Sequence, residues 1–316
     1  SMSVLEYLAN GLVFSSIIVL SSIGLSLVYS IANFANFAHG DTMTVGAYTA
    51  LVTFGFVGTL GAEVLGLPLG FFLALVVGVA VAAAVAVVTH KVVYEPLDVG
   101  SIGLLITSIG VAFVYRAIVQ LGFGTEFIEF QIPLLRPIEA LLPFGIRMTL
   151  HDVAILASTA VLVAGLHALL QYTDLGRKMR ATADNPSLAR VSGIRTDRIE
   201  IWTWVIGAGL AGAGGVFLGL YNNISPRMGF NILLVVFAAV ILGGIGSVYG
   251  AMAGGFLIGM INQLTPILPR LGQEIPFVPE SFGIPIGIEY ANAIAFLIMV
   301  AVLLVRPSGI AGEEAT

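Results

Sequence analysis

The chain has 316 residues, of which 58% are hydrophobic and 10% charged, and its mean hydropathy is +1.03. Soluble domains carry about 25% charged residues, so this composition excludes a water-soluble globular protein. The net charge of −5 argues against a nucleic-acid partner. The absence of cysteine excludes disulfides and thiolate metal sites. The composition therefore predicts an all-α polytopic integral membrane protein that lies in a lipid bilayer.

Stretches without Asp, Glu, Lys or Arg predict the membrane-spanning helices, because a bilayer core of about 30 Å needs about 20 helical residues. Ser1 is interpreted as a tag-cleavage remnant and Met2 as the natural start, and the first uncharged stretch is interpreted as a span rather than a signal peptide. The uncharged stretches lie between residues 6 and 41, 41 and 63, 63 and 91, 98 and 116, 152 and 174, 200 and 227, 227 and 270, and 289 and 306.

The stretch between residues 227 and 270 holds 42 uncharged residues, which is too many for one span. As a single helix it would measure about 63 Å, so it must fold back on itself. Glycines 243, 244 and 246 supply a break near its middle. We predict half-helices near 231–242 and 248–262. The whole chain then has eight or nine transmembrane segments in one domain over residues 5–306, with termini at 1–4 and 307–316.

Basic residues predict the orientation of the chain. Six of its thirteen Lys and Arg lie within residues 173–200, and the positive-inside rule places such a loop in the cytoplasm. Counting spans from this loop puts the N-terminus outside and the C-terminus inside. The segments 123–149 and 263–285 then fall outside.

The cytoplasmic loop contains the signals of a short amphipathic helix. Asn185 followed by Pro186 is typical of an N-cap and first helical position, and Gly193 fits the helix end. Leu188 and Val191, with Ile194, would form a small apolar stripe. Such a helix outside the membrane indicates a docking element, although an ordinary positive-inside loop is the alternative interpretation.

Two further places carry polar residues at or near the spans. The turn before the second span holds His39 and Asp41; Asp41 is a candidate N-cap, and the pair has either a structural or a functional role. Arg116 is the charged residue expected inside a predicted transmembrane helix. It would reach the membrane surface by snorkelling, or pair with Glu126 or Glu129.

The chain resembles the permease subunits of ABC importers, and within them the first permease subunit of the branched-chain amino acid importers. Ser187-Leu188-Ala189, three residues and Gly193 resemble the coupling-helix (EAA) loop of these permeases in spacing. Met179-Arg180-Ala181 and Gly193-Ile194 resemble landmarks of the branched-chain amino acid group. The run Asn-Phe-Ala-His-Gly-Asp that ends at Asp41, the Gly-Gly-Ile-Gly-Ser block 243–247 and the ending Arg306-Pro307-Ser308-Gly309 are also similar to that family.

The resemblance implies an ABC importer permease fold, with a cytoplasmic coupling loop over 173–199. It implies a prokaryotic plasma-membrane subunit that carries branched-chain or other neutral amino acids along a path shared with a second permease. Its partners would be ABC ATP-binding subunits, which use the ATP, and an extracytoplasmic substrate-binding protein; no cofactor or metal is expected on this chain. The residues implied in ATPase coupling are Arg177, Met179, Arg180, Ala181, Asn185, Pro186, Leu188, Ala189, Gly193 and Ile194. Those implied in the translocation path are Asn33, Asn36, Phe37, His39, Gly40, Asp41, Gly243, Gly244, Gly246 and Ser247.

The rival hypothesis is an ATP-independent channel or secondary transporter for a small neutral solute such as urea. Such proteins usually keep ionisable groups in mid-span for ion or proton coupling, and His39 and Asp41 are the candidates here. An enzyme is not expected, because the sequence has no phosphate-binding G-x-x-x-x-G-K-[ST] loop and no His-Glu-x-x-His motif.

Overall fold

A computed structural model of the protein describes residues 3–58 and 60–312. The interpretation of Ser1 and Met2, and the end of the expected C-terminal segment at 313–316, lie outside these residues.

The described part is a helical bundle with one small β-hairpin and an isolated β-bridge between Ile128 and Ile224. Its strands β1 (Glu63–Val64) and β2 (Leu67–Pro68) pair antiparallel. A π-helical turn at His90–Tyr94 extends α3, and 3₁₀ turns lie at Glu139–Phe144, Thr265–Arg270 and Ile288–Tyr290. The α-helices are α1 (Val4–Ala32), α2 (His39–Val57), α3 (Leu69–Thr89), α4 (Ser101–Phe123), α5 (Leu150–Tyr172), α6 (Asp174–Asp184), α7 (Pro186–Val191), α8 (Thr196–Tyr221), α9 (Met228–Gly243), α10 (Val248–Leu264), α11 (Leu271–Glu274) and α12 (Ala291–Val305).

Seven helical segments of the described chain are long and apolar enough to cross a membrane; they contain α1, α3, α4, α5, α8, α10 and α12. The 19-residue α2 and the 16-residue α9 complete the bundle. The prediction of an all-α polytopic membrane protein with eight or nine segments is therefore confirmed.

Contacts along the helices give their directions. Gly24 of α1 lies against Gly207 of α8, and Phe14 lies near Tyr221, so α1 and α8 run antiparallel. The N-terminus of α2 contacts mid-α1 through His39 and Ser21. Similar contacts between the other neighbouring helices show that the long helices alternate in direction along the chain.

The bundle consequently has two ends with different charge. We call the end that carries α6 and α7 the basic end, and the end that carries the 124–149 loop the acidic end. Lys and Arg at the basic end are Lys91, Arg177, Lys178, Arg180, Arg190, Arg195, Arg198 and Arg306, and at the acidic end Arg136, Arg147, Arg227 and Arg270. Carboxylates at the acidic end are Glu6, Glu63, Glu126, Glu129, Glu139, Asp152, Glu274, Glu280 and Glu289.

The predicted break in the long uncharged stretch is confirmed. α9 ends at Gly243 and α10 begins at Val248, close to the predicted half-helices. Gly244 and Gly246 have φ of 104° and 86°, a left-handed conformation that favours glycine. The two helices pack antiparallel, since a Cβ on Gly243 would meet the Gly250 carbonyl and one on Gly254 would meet the Ala239 carbonyl. We call residues 244–247 the α9–α10 turn.

Glycine lets the central helices touch backbone to backbone. A Cβ on Gly229 of α9 would overlap the carbonyl oxygen of Gly40 in α2, and one on Gly215 of α8 would overlap that of Met43. The Gly229 N–H also donates to Thr44 Oγ1 at 3.1 Å. Small residues at such contacts are how membrane helices associate, because lipid supplies no hydrophobic drive between them.

The Gly229 contact gives the first testable prediction. Gly229→Ala should lower the thermal stability of the purified chain in detergent, because α2 or α9 must move; overpacking costs about 1–3 kcal/mol. Gly110→Ala is the matched control, since its Cβ would meet open space. The measurement is the melting temperature by fluorescence-detected gel filtration. Equal melting temperatures for the two variants would contradict the close contact.

Candidate functional site

The first helix of the predicted coupling loop, α6, is anchored to the bundle. The Thr173 hydroxyl caps it by accepting from the Gly176 N–H at 3.1 Å. Met179 is fully buried in the main core. At its exposed start, a hydrogen bond from Lys178 holds the pKa of the Asp174 carboxyl below its usual range. α6 therefore has one face fixed to the bundle and a charged face outside it.

The second helix, α7, has the predicted ends. The Asn185 side chain accepts from the Leu188 N–H at 2.9 Å, and Pro186 occupies the first turn. Gly193 has φ of 91°, and its N–H donates to the Arg190 carbonyl at 3.1 Å. The cap, proline and terminal glycine are thus confirmed as local structure.

Two of the three residues of the predicted apolar stripe face solvent. Leu188 is 62% exposed and Val191 is 86% exposed. Ile194 does not join them, because it is half-buried and packs against the main core. An exposed pair of aliphatic side chains on a capped helix at the basic end is a surface suited to a protein partner.

The ten residues implied in ATPase coupling divide into two groups. Those in the first group face solvent and those in the second lie in or against the bundle, where they anchor the loop. The exposed residues are Arg177, Arg180, Asn185, Pro186, Leu188 and Gly193; the buried or half-buried ones are Met179, Ala181, Ala189 and Ile194.

A cavity of about 680 Å³ at the basic end joins the coupling loop to three predicted path residues. Asp184 at the end of α6 lines it together with Asn33, Gly246 and Ser247. Ser247 caps α10 by accepting from the Gly250 N–H at 3.0 Å, and its carbonyl accepts from Ser26 Oγ of α1 at 3.1 Å. The end of α6 and the α9–α10 turn therefore share one space.

The C-terminal segment 306–312 lines the same cavity and holds the end of α9. The Ile310 N–H donates to the Leu242 carbonyl at 2.8 Å, and the Ala311 N–H donates to the Gly243 carbonyl at 3.0 Å. These carbonyls would otherwise lack intrahelical partners. The sequence assigned 307–316 only to a terminus and missed this contact, because no local pattern pairs segments so far apart.

The loop between α1 and α2 is tied into the bundle. Asn36 is buried, and its Oδ1 accepts from the Ala38 N–H at 3.0 Å and the Tyr94 hydroxyl at 3.3 Å. The Phe37 N–H donates to Ser108 Oγ of α4 at 2.9 Å, and its ring lies 4.9 Å from that of Phe237.

His39 and Asp41 differ from their prediction. α2 begins at His39 and its N-cap is Ala38, so Asp41 is not the cap. His39 does not pair with Asp41 but lies 2.8 Å from the Ser21 carbonyl through Nε2. Both side chains are buried inside the bundle rather than in an open cytoplasmic turn, because the loop before α2 folds back to mid-α1.

Arg116 is the partner of Asp41. Its Nε and Nη2 lie 3.2 Å from Asp41 Oδ1 and Oδ2, a two-point pair between α4 and α2. Its Cζ lies 4.4 Å from the ring centre of Phe230 and 5.1 Å from that of Phe113, within cation–π range. Arg116 is buried, so the predictions that it snorkels or pairs with Glu126 or Glu129 are wrong.

The remaining predicted path residues have packing contacts. Gly40 lies against Gly229, Gly243 lies against Gly250, and Gly244 lies against the C-terminal segment. The structure thus brings Asn33, Gly246 and Ser247 together at one cavity, and places Gly40, Gly243, His39 and Asp41 within the packed bundle. Their role in a path stays a prediction. Within residues 3–58 and 60–312, no group of three His, Asp or Glu is placed to hold a metal ion.

Comparison with known proteins gives one consistent result. The family model described as branched-chain amino acid transport system, permease component, matches residues 7–303. The BraD high-affinity branched-chain amino acid transport permease protein of Pseudomonas aeruginosa is 32% identical, over 98% of this chain and 96% of the relative. A probable LivH branched-chain amino acid transport permease protein of Methanocaldococcus jannaschii is 31% identical over 97% and 92%.

A solved structure, PsaBC of Streptococcus pneumoniae in complex with Fab, aligns over 93% of this chain and 90% of that chain. Its identity is 14% and its TM-score 0.45.

The buried ion pair gives the second prediction. Asp41→Leu or Arg116→Leu alone should lower stability by about 3–5 kcal/mol, because one charge remains buried without its partner. The double variant should recover most of that loss. The measurement is a double-mutant cycle of unfolding in detergent.

Arg227→Leu is the matched control, because Arg227 is exposed and its Cζ lies 5.8 Å from the same Phe230 ring. An exposed substitution should change stability by no more than about 0.5 kcal/mol. Single-variant losses that simply add in the double variant would contradict the pairing.

Proposed function

The chain belongs to the permease-component family of branched-chain amino acid transport systems, and on that premise we propose that it is one permease subunit of an ATP-driven importer. It carries branched-chain or other neutral amino acids, and its path lies against a second permease. ATP-binding subunits power it, and an extracytoplasmic binding protein delivers the substrate. The curated relatives are named as branched-chain amino acid permease proteins, which supports this substrate class.

The observation that carries the proposal is the α6–α7 element. A short helix with a fixed cap, a fixed end and two exposed aliphatic side chains projects from one end of the bundle. Exposed apolar side chains on an otherwise charged surface favour a protein partner. In this proposal the partner is an ATP-binding subunit, with Leu188 and Val191 as the contact.

The distribution of charge supports the orientation. Most Lys and Arg lie at the basic end, whereas carboxylates prevail at the acidic end. The positive-inside rule then places α6, α7 and the C-terminal segment in the cytoplasm and the N-terminus outside. The acidic end is the side at which a binding protein would dock.

The geometry also supports a route for coupling. Movement of α7 by the ATP-binding subunits would reach α6, whose end lines the basic-end cavity with the α9–α10 turn. Gly244 and Gly246 of this turn hold conformations that β-carbon-bearing residues rarely adopt. A turn held between two rigid helices can absorb a change in their angle and switch the path between outward- and inward-facing states.

The alternative, a proton- or ion-coupled transporter, needs a titrating group in mid-span. Asp41 is the carboxylate that such a mechanism would use. Both of its oxygens are engaged by Arg116, and this pairing disfavours a cycle of proton uptake and release.

The third prediction tests docking. Tagged chain is purified from its native membranes in mild detergent, and co-purifying proteins are identified by mass spectrometry. A Walker-type ATPase and a second permease should accompany the wild type. Leu188→Asp and Gly193→Pro should lose the ATPase, the first by placing a charge on the contact and the second because proline cannot adopt the φ of Gly193.

Val99→Asp is the matched control, since Val99 is an exposed aliphatic residue at the same end but outside the coupling loop. It should retain the ATPase. A wild-type chain that purifies alone while its cells still import the solute would overturn the importer proposal.

The fourth prediction concerns the energy source. Uptake of radiolabelled leucine by cells that depend on this chain should stop when ATP is depleted by arsenate. It should persist when an ionophore collapses the proton gradient at maintained ATP. Control cells lacking the chain set the background. Uptake that follows the gradient and ignores ATP would favour the alternative.

A further inference from the structure

A second cavity, of about 260 Å³, lies at the acidic end and has asparagine as its main polar group. It is formed where α1, α8, α9, α10, α12 and the segment 222–227 meet. We call it the asparagine cavity; its amide side chains are Asn222, Asn223, Asn231, Asn262 and Asn292.

The polar lining of the asparagine cavity is uncharged. Ser225 is its remaining polar residue, and no Asp, Glu, Lys or Arg is among the described residues that line it. This is unexpected at an end where carboxylates prevail. An uncharged cavity disfavours a solute with net charge, because desolvation of that charge would go uncompensated.

The amides divide into a paired and an unpaired set. Asn262 of α10 donates to Asn292 of α12 at 2.9 Å, so these two are paired with each other. Among the side-chain hydrogen bonds of the described chain, none involves Asn222, Asn223 or Asn231. Each primary amide offers two N–H donors and a carbonyl acceptor, so these three amides can bind both an anionic and a cationic group.

The rest of the lining is apolar. Phe14 and Leu218 come from α1 and α8, and Ile232 and Val235 from the buried face of α9. One cavity therefore presents amides beside aliphatic and aromatic surface. Its volume is just under the range of about 300–1,000 Å³ typical of pockets for drug-sized ligands, which suits one small metabolite.

We propose that the asparagine cavity is the outer binding site for a zwitterionic amino acid with an aliphatic side chain. The amide N–H groups of Asn222, Asn223 and Asn231 hold the carboxylate, their carbonyls hold the ammonium, and Ile232 and Val235 contact the side chain. This inference rests on the proposed function and adds the position of the site and the cause of its preference for neutral amino acids.

The chain lacks cysteine, so a single introduced thiol can report on occupancy. Asn292 lines the cavity, is exposed and is not one of the three amides assigned to the ligand. Asn292→Cys is expressed with its native partners, and membranes are labelled with a membrane-impermeant maleimide. The tagged chain is then isolated and its labelling rate measured with no addition and with leucine, lysine or glutamate. Phe127→Cys, at another exposed residue of the lining, is the second reporter. Phe277→Cys, fully exposed in the acidic-end segment 275–287, is the matched control.

Leucine at ten times its dissociation constant should slow labelling of Asn292→Cys and Phe127→Cys about tenfold by mass action. Phe277→Cys should be unaffected, and lysine and glutamate at the same concentration should not protect. Failure of leucine to protect either reporter would overturn the site, as would equal protection by lysine and glutamate.

Leucine uptake by wild-type cells, measured in parallel, separates this site from the proposed function. Uptake without protection overturns the asparagine cavity and leaves the importer standing. Protection without ATP-dependent uptake supports the cavity as an amino acid site and overturns the importer. Absence of both overturns the two together.

Discussion

Close backbone contact between glycine-rich helices is the constraint on which the rest of the structure depends. In lipid, apolar side chains gain nothing by leaving the solvent for a neighbouring helix, so helices associate through packing and hydrogen bonds. α2 meets α9 at Gly40 and Gly229, and α9 meets α10 at Gly243 and Gly250. These contacts leave no room for a β-carbon. They fix the position of α9, and hence the positions of its two ends, which line the two cavities.

The buried ion pair follows from the same packing. α4 lies at the edge of the bundle, with most of its surface exposed. Beside the apolar packing of its buried face, two polar contacts hold it: Ser108 accepts from the Phe37 N–H in the loop before α2, and Arg116 binds Asp41 of α2. A buried charge is costly in a membrane unless it is paired. The pair therefore specifies the position of α4 more than it adds stability.

Local patterns were sufficient to predict much of this molecule. The uncharged stretches located the long helices, and Asn185, Pro186 and Gly193 predicted both ends of α7 because caps depend on adjacent residues. The pairing of Asp41 with Arg116 was missed because 75 residues separate them. Each is a lone charge in its own segment, and only the tertiary contact of α2 with α4 shows the partner.

The coupling loop shows a second limit of sequence patterns. Spacing alone could not tell which of its apolar residues face a partner and which face the bundle. Met179 and Ile194 pack inward, whereas Leu188 and Val191 face outward. The choice depends on the surface of the bundle beneath the loop, which no window of the chain contains.

α9 links the two cavities physically. It begins beside the asparagine cavity with Asn231, Ile232 and Val235, and its end, at Ile241, lines the basic-end cavity shared with the end of α6. Sixteen helical residues span about 24 Å, so a hydrogen-bonded rod of that length would carry a tilt at one end to the other. Because its last carbonyls are held by the C-terminal segment, a shift of the α9–α10 turn would move this segment too. In the proposed importer, ATP-driven movement of α7 at the basic end would therefore move α9. The same movement of α9 would release a neutral amino acid from the asparagine cavity at the acidic end.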